Sequence, residues 1–105
     1  MDIALYRLRR TRWGIDGVLK IDGHRVAYTA EHPDHHLPPG TYRITLRKMI
    51  LKPGCGPFLN LDSSICVGRP RCAGCLVHPK ATFRLLYARI QKSLRRGHPV
   101  TLIIR

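Results

Sequence analysis

The dipeptide Asp22-Gly23 constrains this chain more than any other feature, because it separates two runs rich in strand-forming residues, Val18–Ile21 and His24–Thr29. A two-residue connection between antiparallel strands favours positive φ at both central positions, which Asp-Gly tolerates and β-branched residues do not. The spacing therefore predicts a β-hairpin over 18–29. Around it, Ile3–Arg9 alternates loosely as a strand and Thr11–Gly14 breaks it. Thr41–Arg47 alternates apolar and polar residues as a half-buried strand does. Phe58–Leu61 and Ser64–Val67 are further short strand candidates, with a turn at Pro53–Pro57 and a loop over Gly68–Gly74. The crowded His, Pro and Asp residues of 31–40 predict a loop.

The period changes once. Phe83, Leu86, Tyr87, Ile90 and Leu94 recur at helical spacing, Pro79 suits a first turn and Gly97 a stop, so a helix is expected over Lys80–Arg96. Val100–Ile104 then reads as a closing strand joined to the core. With 105 residues and 44% apolar composition, one domain spanning 1–105 with a single core is expected. The fold class is α+β: a small antiparallel sheet or partly closed barrel of about six strands, with one C-terminal amphipathic helix and a final strand.

Charge narrows the function classes. Nineteen Lys and Arg face six Asp and Glu, a net charge of +13, and after Asp62 nine basic residues follow with no acid between them. Such a field attracts nucleic acid, anionic cell-wall polymer or acidic lipid surface, and the alternative is a solubilising surface. The residues expected to meet a polyanion are Arg9, Arg10 and Arg12 near the N-terminus and Arg84, Arg89, Lys92, Arg95 and Arg96 on the helix. Trp13 is expected as a core anchor, or as a platform for a base or sugar beside those arginines. No apolar run reaches the length of a signal peptide core or of a membrane span. The cytoplasm is then the default location, with release by an unconventional route left open.

Cys55, Cys66, Cys72 and Cys75, with His78 just beyond, form a cysteine cluster that supports three readings. As metal ligands, Cys72-x-x-Cys75-x-x-His78 with Cys66 or Cys55 would complete a tetrahedral zinc site. As a dithiol or nucleophile, Cys72 and Cys75 would be activated by Arg69 and Arg71. As packing groups, small cysteines would fill loop space. His32, His35 and His36 with Asp34 offer either a second metal or acid–base site or a solvated polar loop.

Several segments carry a resemblance in order: Gly17-Val18-Leu19-x-Ile21-x-Gly23, Tyr28-Thr29-x-Glu31, Pro38-x-Gly40-Thr41-Tyr42 and Gly74-Cys75-Leu76-Val77. Together they resemble a small bacterial and phage domain family of unknown function. Its pattern is G-x-L-x-I-x-G, T-L-E, I-P-x-G-x-Y, H-x-G-N and G-C-I, followed by a helix and a strand. That family is itself similar to the L,D-transpeptidases, cysteine enzymes of peptidoglycan. The resemblance implies a nucleophile at Cys75 and a cysteine-dependent transpeptidase or hydrolase as the alternative to a binding module. Cys66-Val67-Gly68-Arg69 stands where H-x-G-N is expected, which keeps the glycine and replaces the histidine and asparagine. His78 is the remaining candidate base. The implied register makes Cys66 and Cys75 spatial neighbours.

Overall fold

Asp22 (φ 52°) and Gly23 (φ 79°) both adopt the left-handed conformation and join β2 (Gly14–Ile21) to β3 (His24–Glu31). The hairpin is the one the Asp-Gly signal predicts, and Ile21 opposite His24 closes it. The computed structural model describes residues 1–53, 63–72 and 75–105; of residues 70–72 and 75–77 it describes the backbone only. Nothing lies within 4 Å of a Cβ built on Gly23, so space does not select the glycine there. Positive φ does, and Gly23→Val is expected to lower stability by about 1 kcal/mol or more. An unchanged midpoint in a urea melt would contradict that.

β1 (Asp2–Thr11) folds back on β2 through a turn at Arg12-Trp13, with Thr11 opposite Gly14. The remaining elements follow in the order β4 (Gly40–Ile44), β5 (Leu51–Pro53), β6 (Ile65–Cys72), β7 (Cys75–Val77), α1 (Pro79–Arg95) and β8 (Val100–Ile104). The sheet is a curled half-barrel in the order β4-β8-β1-β2-β3-β6-β5, with β7 paired to β6. The α+β expectation is met, but the sheet is mixed rather than antiparallel, since β1–β8 and β5–β6 run parallel. Parallel neighbours need a crossover, and α1 carries the chain across the sheet before β8 lies down beside β1.

Three local expectations are corrected. The stretch expected as loop from Gly68 continues β6 as far as Cys72, followed by β7. The strand expected over 41–47 ends at Ile44, because Thr45 turns the chain: its Oγ1 accepts from the Lys48 amide at 3.0 Å. β5 was not foreseen; it is three residues long, too short to show alternation. The Phe58–Leu61 strand and the turn after Pro53 fall outside the described residues.

The core forms on the concave side of the sheet. Ile3 and Leu5 of β1, Leu19 and Ile21 of β2, Val67 of β6 and Leu102 and Ile104 of β8 are buried there, at the two-residue spacing that puts side chains on one face of a strand. Leu86 and Ile90 of α1 close over it, with Phe83 and Leu94 packed at the margin. Gly17 permits close approach of its neighbours: a Cβ there would stand 2.7 Å from the Tyr6 carbonyl oxygen and 2.8 Å from the Thr29 hydroxyl. The helix starts at Pro79 and stops as its glycine predicts. Gly97 (φ 75°) donates to the Leu94 carbonyl and His98 to the Ser93 carbonyl, each at 3.0 Å, the Schellman pattern that satisfies the last carbonyls.

β1 outruns β8, whose last paired residue, Ile104, meets Leu5, so among the described residues its second half is an open sheet edge. A bulge between Arg7 and Arg9 leaves Leu8 exposed, and arginines flank it. Bulges and charged side chains are the usual defences of an edge against pairing with another chain.

Candidate anion-binding cleft

A cleft opens where β6 leaves β3. β6 pairs with β3 at Cys66 opposite Ala30, Val67 opposite Thr29 and Gly68 opposite Tyr28, and then turns to β7, with Arg69 opposite Val77. Among the described residues, Arg25, Val26 and Ala27 of β3 therefore have β2 on one side and no ladder partner on the other. α1 crosses β6, and the space left between helix, β3 and β6 has a volume of about 620 Å³.

The cleft is lined by both apolar and cationic residues. Val26, Ala27, Thr82 and Leu86 line it with mostly apolar surface. Leu85 also lines it and is 69% exposed, although it lies on a helix with a well-buried face. Tyr28 is a half-buried wall residue, and Gly68 opposite it has no side chain to fill the adjoining space. Three arginines line the cleft, Arg25, Arg69 and Arg89. Arg25 lies over the Tyr28 ring, 5.1 Å from its centroid, and donates to the Tyr28 hydroxyl. Among the described residues the ion pairs are Arg7–Glu31 and Arg9–Asp16. None of the three cleft arginines takes part in them.

The helix extends this cationic surface. Lys80, Arg84, Arg89, Lys92 and Arg95 are all exposed, α1 contains no carboxylate, and Arg96 follows at its C-cap. At 100° per residue, Leu85, Arg89, Lys92 and Arg96 share one stripe that starts at the cleft, while Arg84 and Arg95 face outward.

The other arginines singled out in the sequence sit on a different element. Arg9 pairs with Asp16 at 3.0 Å, Arg10 donates to the Pro33 carbonyl at 2.9 Å, and Arg12 lies 4.5 Å from the centroid of the Trp13 ring. Trp13 is 69% exposed at the β1–β2 turn and is not the core anchor expected of it. The indole projects from a two-residue turn between strands, where both Arg12 and Trp13 are exposed. Arg25, Tyr28 and Leu85 were not foreseen as a group. They come from two elements that only the tertiary fold brings together, and nothing in their local sequence marks them.

The cysteine cluster is only partly within the described residues. Cys55 and the side chains of Cys72 and Cys75 lie outside them. Cys66 is buried in the middle of the sheet, level with Ala30 on β3 and Lys52 on β5. The strand register pairs Cys75 with Cys72, so Cys66 and Cys75 are not the cross-strand neighbours that the family alignment implied. They are separated by about 20 Å of strand, at roughly 3.3 Å per residue. His78 is exposed in a left-handed conformation just before α1, and its backbone carbonyl accepts the first helical bond, from Thr82 at 3.1 Å. Among the described residues no three His, Cys, Asp or Glu side chains gather as a metal site requires.

The histidine loop is bound to itself. His32 and His35 meet edge to face at 4.7 Å, the Asp34 amide donates to His32 Nδ1, and His36 Nδ1 contacts the His32 carbonyl. The amide of Asp34 thus engages one of the ring nitrogens that a metal would need. Among the described residues no helix is long and apolar enough to cross a membrane. No family model, no curated protein and no solved structure matches the chain.

Proposed function

We propose that this protein is a binding module for an anionic polymer, with nucleic acid the partner its surface suits best. One observation carries the reading: the exposed side of α1 presents Lys80, Arg84, Arg89, Lys92 and Arg95 with no acidic residue in the helix, and among the described residues none of them is ion-paired. Unpaired cations on a rigid helix repel one another, and a polyanion relieves that repulsion while releasing its own counterions. Nucleic acid is preferred over a cell-wall polymer because two cation–aromatic pairs, Arg12 on Trp13 and Arg25 on Tyr28, suit the stacking of bases.

Salt titration tests the proposal. Five phosphate contacts on a single strand give a log–log slope of observed affinity against salt of about −3 to −4. Fluorescence anisotropy of a labelled oligonucleotide over a range of sodium chloride concentrations measures it. Inorganic polyphosphate serves as a base-free competitor and is expected to displace the oligonucleotide poorly. A slope of about −1 or flatter, or no binding at low salt, contradicts the reading. Polyphosphate binding as tightly as the oligonucleotide would keep the anionic partner and remove the preference for nucleic acid.

A further inference from the structure

We infer that the cleft between α1, β3 and β6 receives one unstacked base of a single-stranded nucleic acid, so that the module prefers single strands to duplex. The inference rests on the nucleic-acid reading above and deepens it. Four features of the cleft support it.

Size comes first. A volume of about 620 Å³ lies in the range that encloses a ligand-sized group. A base fits such a space only after it has left its stack, which a single strand permits at low cost and a duplex resists. The second feature is the wall. Tyr28 is met by the Arg25 guanidinium, which bonds its hydroxyl and lies over its ring. The pair offers a cationic aromatic surface of the kind on which bases stack. The third is the gap itself, which exists because Gly68 stands opposite Tyr28 and because β6 departs at the next residue.

The fourth feature is continuity with the charged helix. Leu85 is 69% exposed beside the cleft, in a position to cover the outer face of an inserted base. Arg69 and Arg89 line the cleft beside it, placed for the phosphates that flank the base. From Leu85 the stripe runs through Arg89 and Lys92 to Arg96, about 16 Å at 1.5 Å per residue, a track for the backbone leaving the cleft.

The test compares a labelled single strand of about twelve nucleotides with a duplex of the same length and with a strand of abasic sugars. The parent protein is expected to bind the single strand at least about tenfold tighter than the duplex. Tyr28→Ala is expected to lower single-strand affinity about fivefold or more, toward the duplex value, and Tyr28→Phe to retain most of it. Leu85→Ser, at an exposed position that does not threaten folding, is expected to act in the same direction as Tyr28→Ala. The abasic strand should bind the parent as weakly as the duplex does. Equal affinity for single strand and duplex overturns the inference and leaves the nucleic-acid reading standing. So does a preference abolished by Trp13→Ala but untouched by Tyr28→Ala and Leu85→Ser. Binding of neither nucleic acid by the parent overturns the underlying reading itself.

Discussion

Reversing Arg84, Lys92 and Arg95 to Glu together is expected to lower affinity for an oligonucleotide by at least about a hundredfold at low salt. The three side chains are exposed on α1 and make no ion pair among the described residues. Each lost phosphate contact should flatten the salt slope by about 0.7 on a single strand or 0.9 on duplex, and the new carboxylates add repulsion. The fold should survive, because exposed substitutions away from special features change stability little. A small loss is expected all the same: acidic residues at 92 and 95 oppose the helix dipole near its C-terminus, at roughly 0.3–1 kcal/mol each. Circular dichroism and thermal melting establish that the variant is folded before its anisotropy titration is read. A folded variant that binds as the parent does would move the interface off the helix.

The largest stability effect is expected at an ion pair enclosed by the half-barrel. Glu31 ends β3 with its side chain fully buried, and Arg7 of β1, 15% exposed, meets it through two hydrogen bonds, Nε to Oε2 at 3.0 Å and Nη2 to Oε1 at 2.8 Å. Arg7 Nη2 also donates to the Leu37 carbonyl at 2.6 Å, which ties the 31–40 loop to the sheet. Removing one partner of a buried pair leaves a charge without compensation, which costs about 3–5 kcal/mol, whereas replacing both by apolar groups of similar volume is often close to neutral. Arg7→Met alone should therefore destabilise the protein severely, and Arg7→Met with Glu31→Leu should recover most of the loss. Urea melts of the two single variants and the double close the thermodynamic cycle. A double variant whose destabilisation equals the sum of the two single losses would show that the pair contributes no coupling.

That ion pair also marks where reading along the chain reaches its limit. Arg7 appears in the sequence as one more cation among many, and Glu31 as the end of a strand. Nothing local says that the two, twenty-four residues apart, face each other inside the sheet. The hairpin at Asp22-Gly23 was legible because φ at two adjacent residues decides it. The helix was legible because a 3.6-residue period, a proline at its start and a glycine after its end all act within the segment. β5 and β7 escaped because each is three residues long, and so short a strand shows no period and is specified by its neighbours.

The candidate site divides along the same line. The charge of α1, and its lack of acids, are properties of consecutive residues, so a cationic helix is already written in that segment. The sequence likewise determined the central hairpin and the α+β character of the fold, since dihedral preference and periodicity are local. Everything else came from the packing of distant segments. It set Trp13 in solvent, paired Cys75 with Cys72 instead of Cys66, and opened a cleft between Tyr28, Arg69 and Leu85. Those outcomes depend on which strands become neighbours and in what register. Strand pairing is a contest among distant segments, settled by the burial of one shared core, and no single segment carries the result.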